Sequence, residues 1–371
     1  MPPARSSIPS LTGVRGVAAL WVFLAHGTKL AASTLHAPWL LQSLFLFNGL
    51  RGVDLFFVLS GFILMHVHAA EFAAPDHAAV RRFAITRFFR VYPLNSAILL
   101  ALLVFVSTAP GYVQSARAYA TAGEAYKAHN LSAAGFVQTL LLVQSWTVLK
   151  LGEWNIVSWT LSAEVLGYLL FPLLAFMMMR ERSAVRCVGW AALSLSVLTV
   201  LLLVFHHANN NPTGTFGAVR MFFCFLAGVA LHRYYQLADT RSEGWSAFLT
   251  IAACLFIAAT LLIPVLPVLD AFGFAALVIG LAYRRGPINA ILESRAVLFL
   301  GKISFSFYLT HFLVIQIFSW AFAPALAEQP LSVRVASLVG VAALCLLLAA
   351  GCYRLIERPS QQLGRRLAAS A

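Results

Sequence analysis

Charge is scarce in this sequence. Of its 371 residues 11% are charged and 61% are hydrophobic, whereas soluble domains carry roughly 25% charged residues. A water-soluble fold is therefore excluded, and the mean hydropathy of +0.84 agrees. Acidic residues are scarcer still, 13 Asp and Glu against 26 Lys and Arg. No stretch is long and polar enough for an appended soluble domain, so residues 1–371 read as a single membrane domain. Alternating segments of about ten residues, the mark of a strand-built barrel, are missing, and the apolar runs are long and continuous. The five cysteines have no paired spacing and read as small buried hydrophobes, neither disulfides nor metal ligands. Also missing are a Gly-rich phosphate loop, a His-Glu-x-x-His helix, a Gly-x-Ser-x-Gly elbow and any ordered metal-ligand spacing, so no metal is expected.

What remains is a polytopic, all-α chain with room for about ten spans of ~20 residues. The net charge of +13 does not point to nucleic acid, because the basic residues are spread among short connections, as membrane insertion requires. Strongly basic connections run from Arg81 to Arg90, Arg180 to Arg186, Arg233 to Arg241, Arg284 to Arg295 and Arg354 to Arg366. Placing them in the cytoplasm puts spans near 11–33, 43–66, 91–110, 156–179, 187–205, 217–236, 246–264, 267–283, 303–323 and 334–353, with both termini inside. The basic N-terminus and its apolar run look like a signal peptide, but Arg15 and His26 interrupt that run, which reads as a retained first helix. Residues 134–149 are too short for a span, and counting them as one would move Arg180 to Arg186 outside. They are expected to form a short re-entrant or interfacial segment, followed by Trp154 to Trp159 at the outer surface. Segments 75–89 and 288–300 read as amphipathic helices on the cytoplasmic surface.

Charges inside apolar helices are costly and are rarely there for packing alone. Arg15 and His26 share the first span, eleven positions apart. At about 100° per residue they fall on one helix face, roughly 16 Å apart along the axis. Arg15 lies near the cytoplasmic surface and His26 about two-thirds of the way outward. Arg87 and Arg90, spaced i, i+3, start the third span at the cytoplasmic face. With Arg15 they make a cationic cluster suited to phosphates, which guanidinium groups bind bidentately; the plainer alternative is contact with lipid headgroups.

Glu164 and Asp54 are further intramembrane carboxylates. Entering from outside, Glu164 should reach a depth similar to that of His26, where an acid would fix the tautomer of the imidazole and raise its basicity. Asp54 competes for that place; the structural alternative for both is an ion pair with Arg51, Arg15 or Arg220. Ser60, followed by Gly61, allows close helix approach. His311, three positions after Tyr308 and near Lys302, is expected to line the cytoplasmic half of a cavity or to be a satisfied core histidine. His206 and His207 look like an exposed outer loop.

The motifs come in a recognisable order: Arg15 and His26; Gly52-Val-Asp54 through Ser60-Gly-Phe62; Arg87-Phe-Phe-Arg90; Trp159-Thr-Leu-Ser162-Ala-Glu164; Tyr308-Leu-Thr-His311; and Glu357-Arg-Pro359. Together, over about residues 8–360, they resemble membrane-bound acyltransferase family 3, whose members acylate, most often O-acetylate, carbohydrates and other acceptors. The resemblance implies a bundle of about ten helices in a bacterial inner membrane. The donor would be acetyl-CoA or another acyl-CoA taken from the cytoplasm, as a substrate and not as a resident cofactor. The acceptor would be a glycan or lipid-linked sugar. By position, His26 matches the essential histidine and Arg15 its paired arginine. Arg87 and Arg90 match the Arg-x-x-Arg pair, Glu164 the acid of the Trp-x-x-Ser-x-Glu motif that Trp159 and Ser162 share, and Glu357 with Pro359 the C-terminal pair. Ala163 departs from the pattern, since a second acid often stands there.

These readings combine into one expectation. Arg15, Arg87 and Arg90, with Tyr308 and His311 nearby, hold the donor; His26, oriented by Glu164 or Asp54, takes the proton of an acceptor hydroxyl attacking the thioester. An unperturbed imidazole, with its pKa of about 6.5, is a neutral base at pH 7. Direct transfer and an acyl-histidine intermediate both fit this arrangement. A secondary transporter would be expected to show repeated halves with matching broken helices, and neither occurs in the sequence.

Overall fold

Long apolar runs bounded by polar caps make helices, and the computed structural model consists of helices and their connections. It describes residues 7–109, 111, 131–146, 154–205, 214–238, 243–263, 269–284, 286–326 and 328–370. Residues 112–130 and 206–213, the latter holding His206 and His207 of the expected outer loop, lie outside the described residues, as do 147–149 of the short apolar segment.

In chain order the helices are α1 (Pro9–Leu35), α2 (Gly52–Phe72), α3 (His77–Thr108), α4 (Ala133–Leu141), α5 (Trp159–Met179), α6 (Ala184–Val204) and α7 (Gly214–Leu237). There follow α8 (Glu243–Leu262), α9 (Asp270–Ala282), α10 (Pro287–Leu292), α11 (Arg295–Ala321), α12 (Leu331–Cys352) and, after a π-helical turn over Tyr353–Glu357, α13 (Arg358–Ala369). Three single turns over Pro38–Gln42, Leu44–Phe47 and Asn48–Arg51 lead into α2. Eight of these segments are long and apolar enough to cross a membrane: α2 with its lead-in, α3, α5 with its lead-in, α6, α7, α8, α11, and α12 continuing into α13. The other two expected spans, 11–33 and 267–283, correspond to α1 and α9. α1 is 27 residues long but carries Arg15, His26 and Lys29, and α9 has only 13 residues.

Two parallel helix pairs organise the bundle. α1 runs along α11, where Gly16 and Gly301 bring the backbones together: a methyl group on Gly16 would lie 2.6 Å from the Gly301 nitrogen. α2 runs along α7, with Gly61 against the Phe225 carbonyl and Gly228 against that of Val58. Small residues allow this approach where helices associate without a hydrophobic driving force. One offset of 166 residues joins both Asp54 to Arg220 and His66 to His232. α2 and α7 therefore stay in register over twelve residues, about 18 Å. Aromatic rings tie in α3 and α5: Phe83 stacks on Phe171 at 5.1 Å, and Phe72 meets Phe171 edge-on at 5.4 Å.

Two expected surface helices are not separate elements. Residues 75–89 fall in α3, which starts at its Asp76 cap and continues unbroken for 32 residues. Nothing in Arg87-Phe-Phe-Arg90 interrupts helical hydrogen bonding, and Pro93 is accommodated inside the helix. Residues 288–300 divide at Ser294 into α10 and the first turns of α11. The surface-like helix that does form is α13, amphipathic and packed on α3 where Gly364 lies against Phe89.

The short apolar segment turns back partway. α4 ends at Leu141, followed by Leu142 in a left-handed conformation. Its last turn is held by the middle of α3, where Asn95 Nδ2 donates to the Thr139 carbonyl (3.1 Å) and the Tyr92 hydroxyl to that of Leu141 (3.1 Å). The segment then clasps α5: Ser145 N donates to Ser162 Oγ (2.9 Å), Ser145 Oγ to the Trp159 carbonyl (2.8 Å) and Trp146 Nε1 to the Ser162 carbonyl (2.8 Å).

The α1–α11 contact yields a test. Gly301→Ala drives a methyl group into the Thr12 carbonyl, an overpacking expected to cost about 1–3 kcal/mol and to lower Tm in detergent. Gly340→Ala, with no atom near its added methyl group, should leave Tm unchanged.

Candidate active site

A cavity of about 290 Å³ lies between α1, α2, α3, α5 and α11. It follows α2 from Val53 to Val67, about 21 Å at 1.5 Å per residue. Arg15, Arg87, Arg90, Glu164 and Tyr168 all line it, with Ser60, Ser304 and Tyr308.

The guanidinium groups are held in different ways. Arg15 donates from Nε to Ser304 Oγ (3.1 Å) and from its terminal nitrogen to the Gly301 carbonyl (3.0 Å). Arg90 is ion-paired with Glu357 and lies 4.6 Å above the Phe305 ring. Glu357, 2% exposed, also accepts from Ser306 Oγ (2.6 Å) and Gln361 Nε2 (3.0 Å). Arg87 lies over the rings of Phe83 (5.6 Å) and Tyr168 (5.8 Å), and its buried Nε has no hydrogen-bond partner. Glu164 Oε1 accepts from both Ser60 Oγ (2.7 Å) and the Tyr168 hydroxyl (2.7 Å). Three guanidiniums thus face two carboxylates, and an anion entering here meets excess positive charge with an unused donor at Arg87.

His26 meets neither carboxylate. Its Nδ1 lies 2.9 Å from Nε2 of His311 on α11, whose own Nδ1 is 3.1 Å from the Phe307 carbonyl. A carbonyl oxygen only accepts, so His311 Nδ1 carries the proton and His311 Nε2 is an acceptor. His26 Nδ1 must then donate, which leaves a lone pair on His26 Nε2. A backbone carbonyl thus sets both tautomers, the task assigned in the sequence to an acid. Phe312 closes on the His26 ring edge-on at 5.0 Å.

The pair lies beyond the cavity's end and does not line it. Tyr308 stands between them, with its ring 5.8 Å from that of His311 and on the cavity wall. Three positions along α11 separate Tyr308 from His311, about 4.5 Å. His311 is fully buried, a core position and not a lining one, and Lys302 lines a different cavity.

Glu164 sits nearer the arginines than expected, because the chain before α5 already reaches deep into the bundle. Asn155 Nδ2 donates to the Leu309 carbonyl at 3.2 Å, two residues from His311. Glu164 comes nine residues later, about 13 Å further along, at the level of Arg15. Asp54 belongs to a separate buried cluster: Arg220 donates to it at 2.7 Å, and Arg51 pairs with Asp270 at 3.4 Å. Pro359 is exposed in the first turn of α13.

Tyr168 and Ser306 are the site residues the sequence reading missed. The i, i+4 spacing of Tyr168 from Glu164 on one helix face was a usable signal; Ser306 carried none.

The chain matches the acyltransferase domain (acyltransferase 3) over residues 8–350. The match stops short of Glu357 and Pro359. It is also 29% identical over 360 residues to the acyltransferase MdmB of Streptomyces mycarofaciens, covering 85% of this chain and 81% of that protein. No solved structure matches it.

The Arg90–Glu357 pair should behave as a coupled unit. Glu357→Ala strands a buried guanidinium, at a cost of about 3–5 kcal/mol. Arg90→Ala combined with Glu357→Ala should cost less than the two single losses added. Tm values of the four proteins in one detergent give the coupling.

Proposed function

The chain belongs to the acyltransferase-3 family of integral membrane enzymes, and from that premise we propose that it moves an acetyl group from acetyl-CoA to a hydroxyl of a carbohydrate, a glycan or lipid-linked sugar. The observation that carries this reading is the pairing, on one helix, of Arg15 in an arginine-lined cavity with His26, held by His311 with Nε2 as the base.

In this reading the protein is a ten-span enzyme of the bacterial inner membrane with both termini in the cytoplasm, where the basic connections belong. The phosphates of coenzyme A bind Arg87 and Arg15 at the cytoplasmic side, and the neutral arm follows the cavity toward Tyr308. Arg90 is tied to Glu357, and Glu164, anchored by Ser60 and Tyr168, limits the excess charge and so lets the product leave. The role of Glu164 is therefore to position the donor site and not to orient His26.

At the reaction centre the acceptor hydroxyl gives its proton to His26 Nε2 as its oxygen attacks the thioester carbonyl. The imidazolium that forms keeps donating from Nδ1 to His311. When the tetrahedral intermediate collapses, the carbon–sulfur bond breaks, and the proton passes from His26 Nε2 to the departing thiolate. The ester and free coenzyme A are the products.

Reconstituted protein, assayed for coenzyme A release and for acetylated sugar, tests this. His26→Ala should lose transfer by about 10²–10⁴-fold with unchanged Tm; wild-type product formation by that variant would overturn the assignment. His311→Gln, whose amide oxygen still accepts from Nδ1, should retain more activity than His311→Leu. Arg87→Ala should raise KM for acetyl-CoA with little change in kcat.

A further inference from the structure

On the opposite side of α11 from the active-site cavity lies a second one, of about 370 Å³, between α11, the end of α12 and the π turn. Three cations line it, Lys302, Arg354 and Arg358, with Tyr353 and no carboxylate. Elsewhere in the protein several arginines pair with acids: Arg90 with Glu357, Arg220 with Asp54, Arg284 with Glu293 and Arg186 with Glu181. Among the described residues none of these three forms an ion pair or a side-chain hydrogen bond. Among the lining residues Phe299 is apolar and 48% exposed, and Leu355, next to Arg354 in the π turn, is 80% exposed.

The local backbone explains the cluster. Lys302 projects from α11 on the side away from Ser304, while Arg354 and Arg358 are four apart across the π turn. That same turn directs Glu357 inward to Arg90 and Ser306. One turn thus serves two sites, a carboxylate facing the interior and two guanidiniums facing out.

We propose that this pocket binds the phosphate headgroup of an anionic phospholipid, with the acyl chains lying along Phe299 and Leu355. Unpaired cations drawn from two helices beside exposed apolar side chains match both parts of such a molecule, as basic pockets between membrane helices do. A free phosphate would use the cations and leave those side chains bare, so the exposed Phe299 and Leu355 select the lipid. The inference is independent of the acyl-transfer reading, and binding alone tests it.

Native mass spectrometry of the detergent-solubilised full chain, titrated with phosphatidylglycerol or phosphatidylcholine, is the experiment. Wild-type protein should retain one phosphatidylglycerol and gain Tm with it, and phosphatidylcholine should do neither. Charge reversal at Arg354→Glu with Arg358→Glu, or at Lys302→Glu alone on the other helix, should weaken retention by at least about tenfold. Arg354→Lys with Arg358→Lys should retain it. Equal retention by the charge-reversed proteins, equal binding of phosphatidylcholine, or displacement of the lipid by millimolar inorganic phosphate or coenzyme A would overturn the proposal.

Discussion

The seam between α1 and α11 is the contact on which the candidate active site depends. Both of its polar anchors cross this seam: Arg15 to Ser304 and Gly301, and His26 to His311. Gly16 and Gly301 remove the side chains that would hold the backbones apart. The backbone contact of Gly16 with Gly301 and the contact of His26 with His311 share one sequence offset of 285 residues, so the two parallel helices keep a single register between them.

Burying ionisable groups requires partners, and the fold sorts them into sets by charge balance. Asp54 with Arg220 and Arg51 with Asp270 join α7 and α9 to the α2 region, two cations against two carboxylates. Around the cavity the match is incomplete, with three guanidiniums against two carboxylates and an unsatisfied Arg87 Nε. A buried charge without its full set of partners is a poor source of stability and a good place for an anionic ligand.

Much of this was legible along the chain. Scarce charge and long apolar runs implied a polytopic helical protein, which eight helices of membrane-crossing length and composition support. The helical period placed Arg15 and His26 on one face, and α1 is a single helix over both. The partner of His26 was not legible. Depth follows from the start of α5 only if the chain before it lies at the surface. Asn155 instead reaches Leu309 inside the bundle, which carries Glu164 down to the arginines and leaves the histidine level to His311. The division between 75–89 and 91–110 fails for a related reason: basic residues mark a membrane boundary but do not end a helix, and α3 continues through them and turns Arg87 and Arg90 toward the cavity.

Sequence by itself determined the helices, their apolar character and the intervals between groups on one helix, because backbone geometry and residue spacing are local. Tertiary structure alone decided which groups meet between helices. Depth and rotation there depend on close approaches such as Gly16 to Gly301 and on where the connecting chain is buried. So the Arg15–His26 interval was readable from the chain, while the contacts of His26 with His311 and of Glu164 with Ser60 and Tyr168 arise only when the bundle closes.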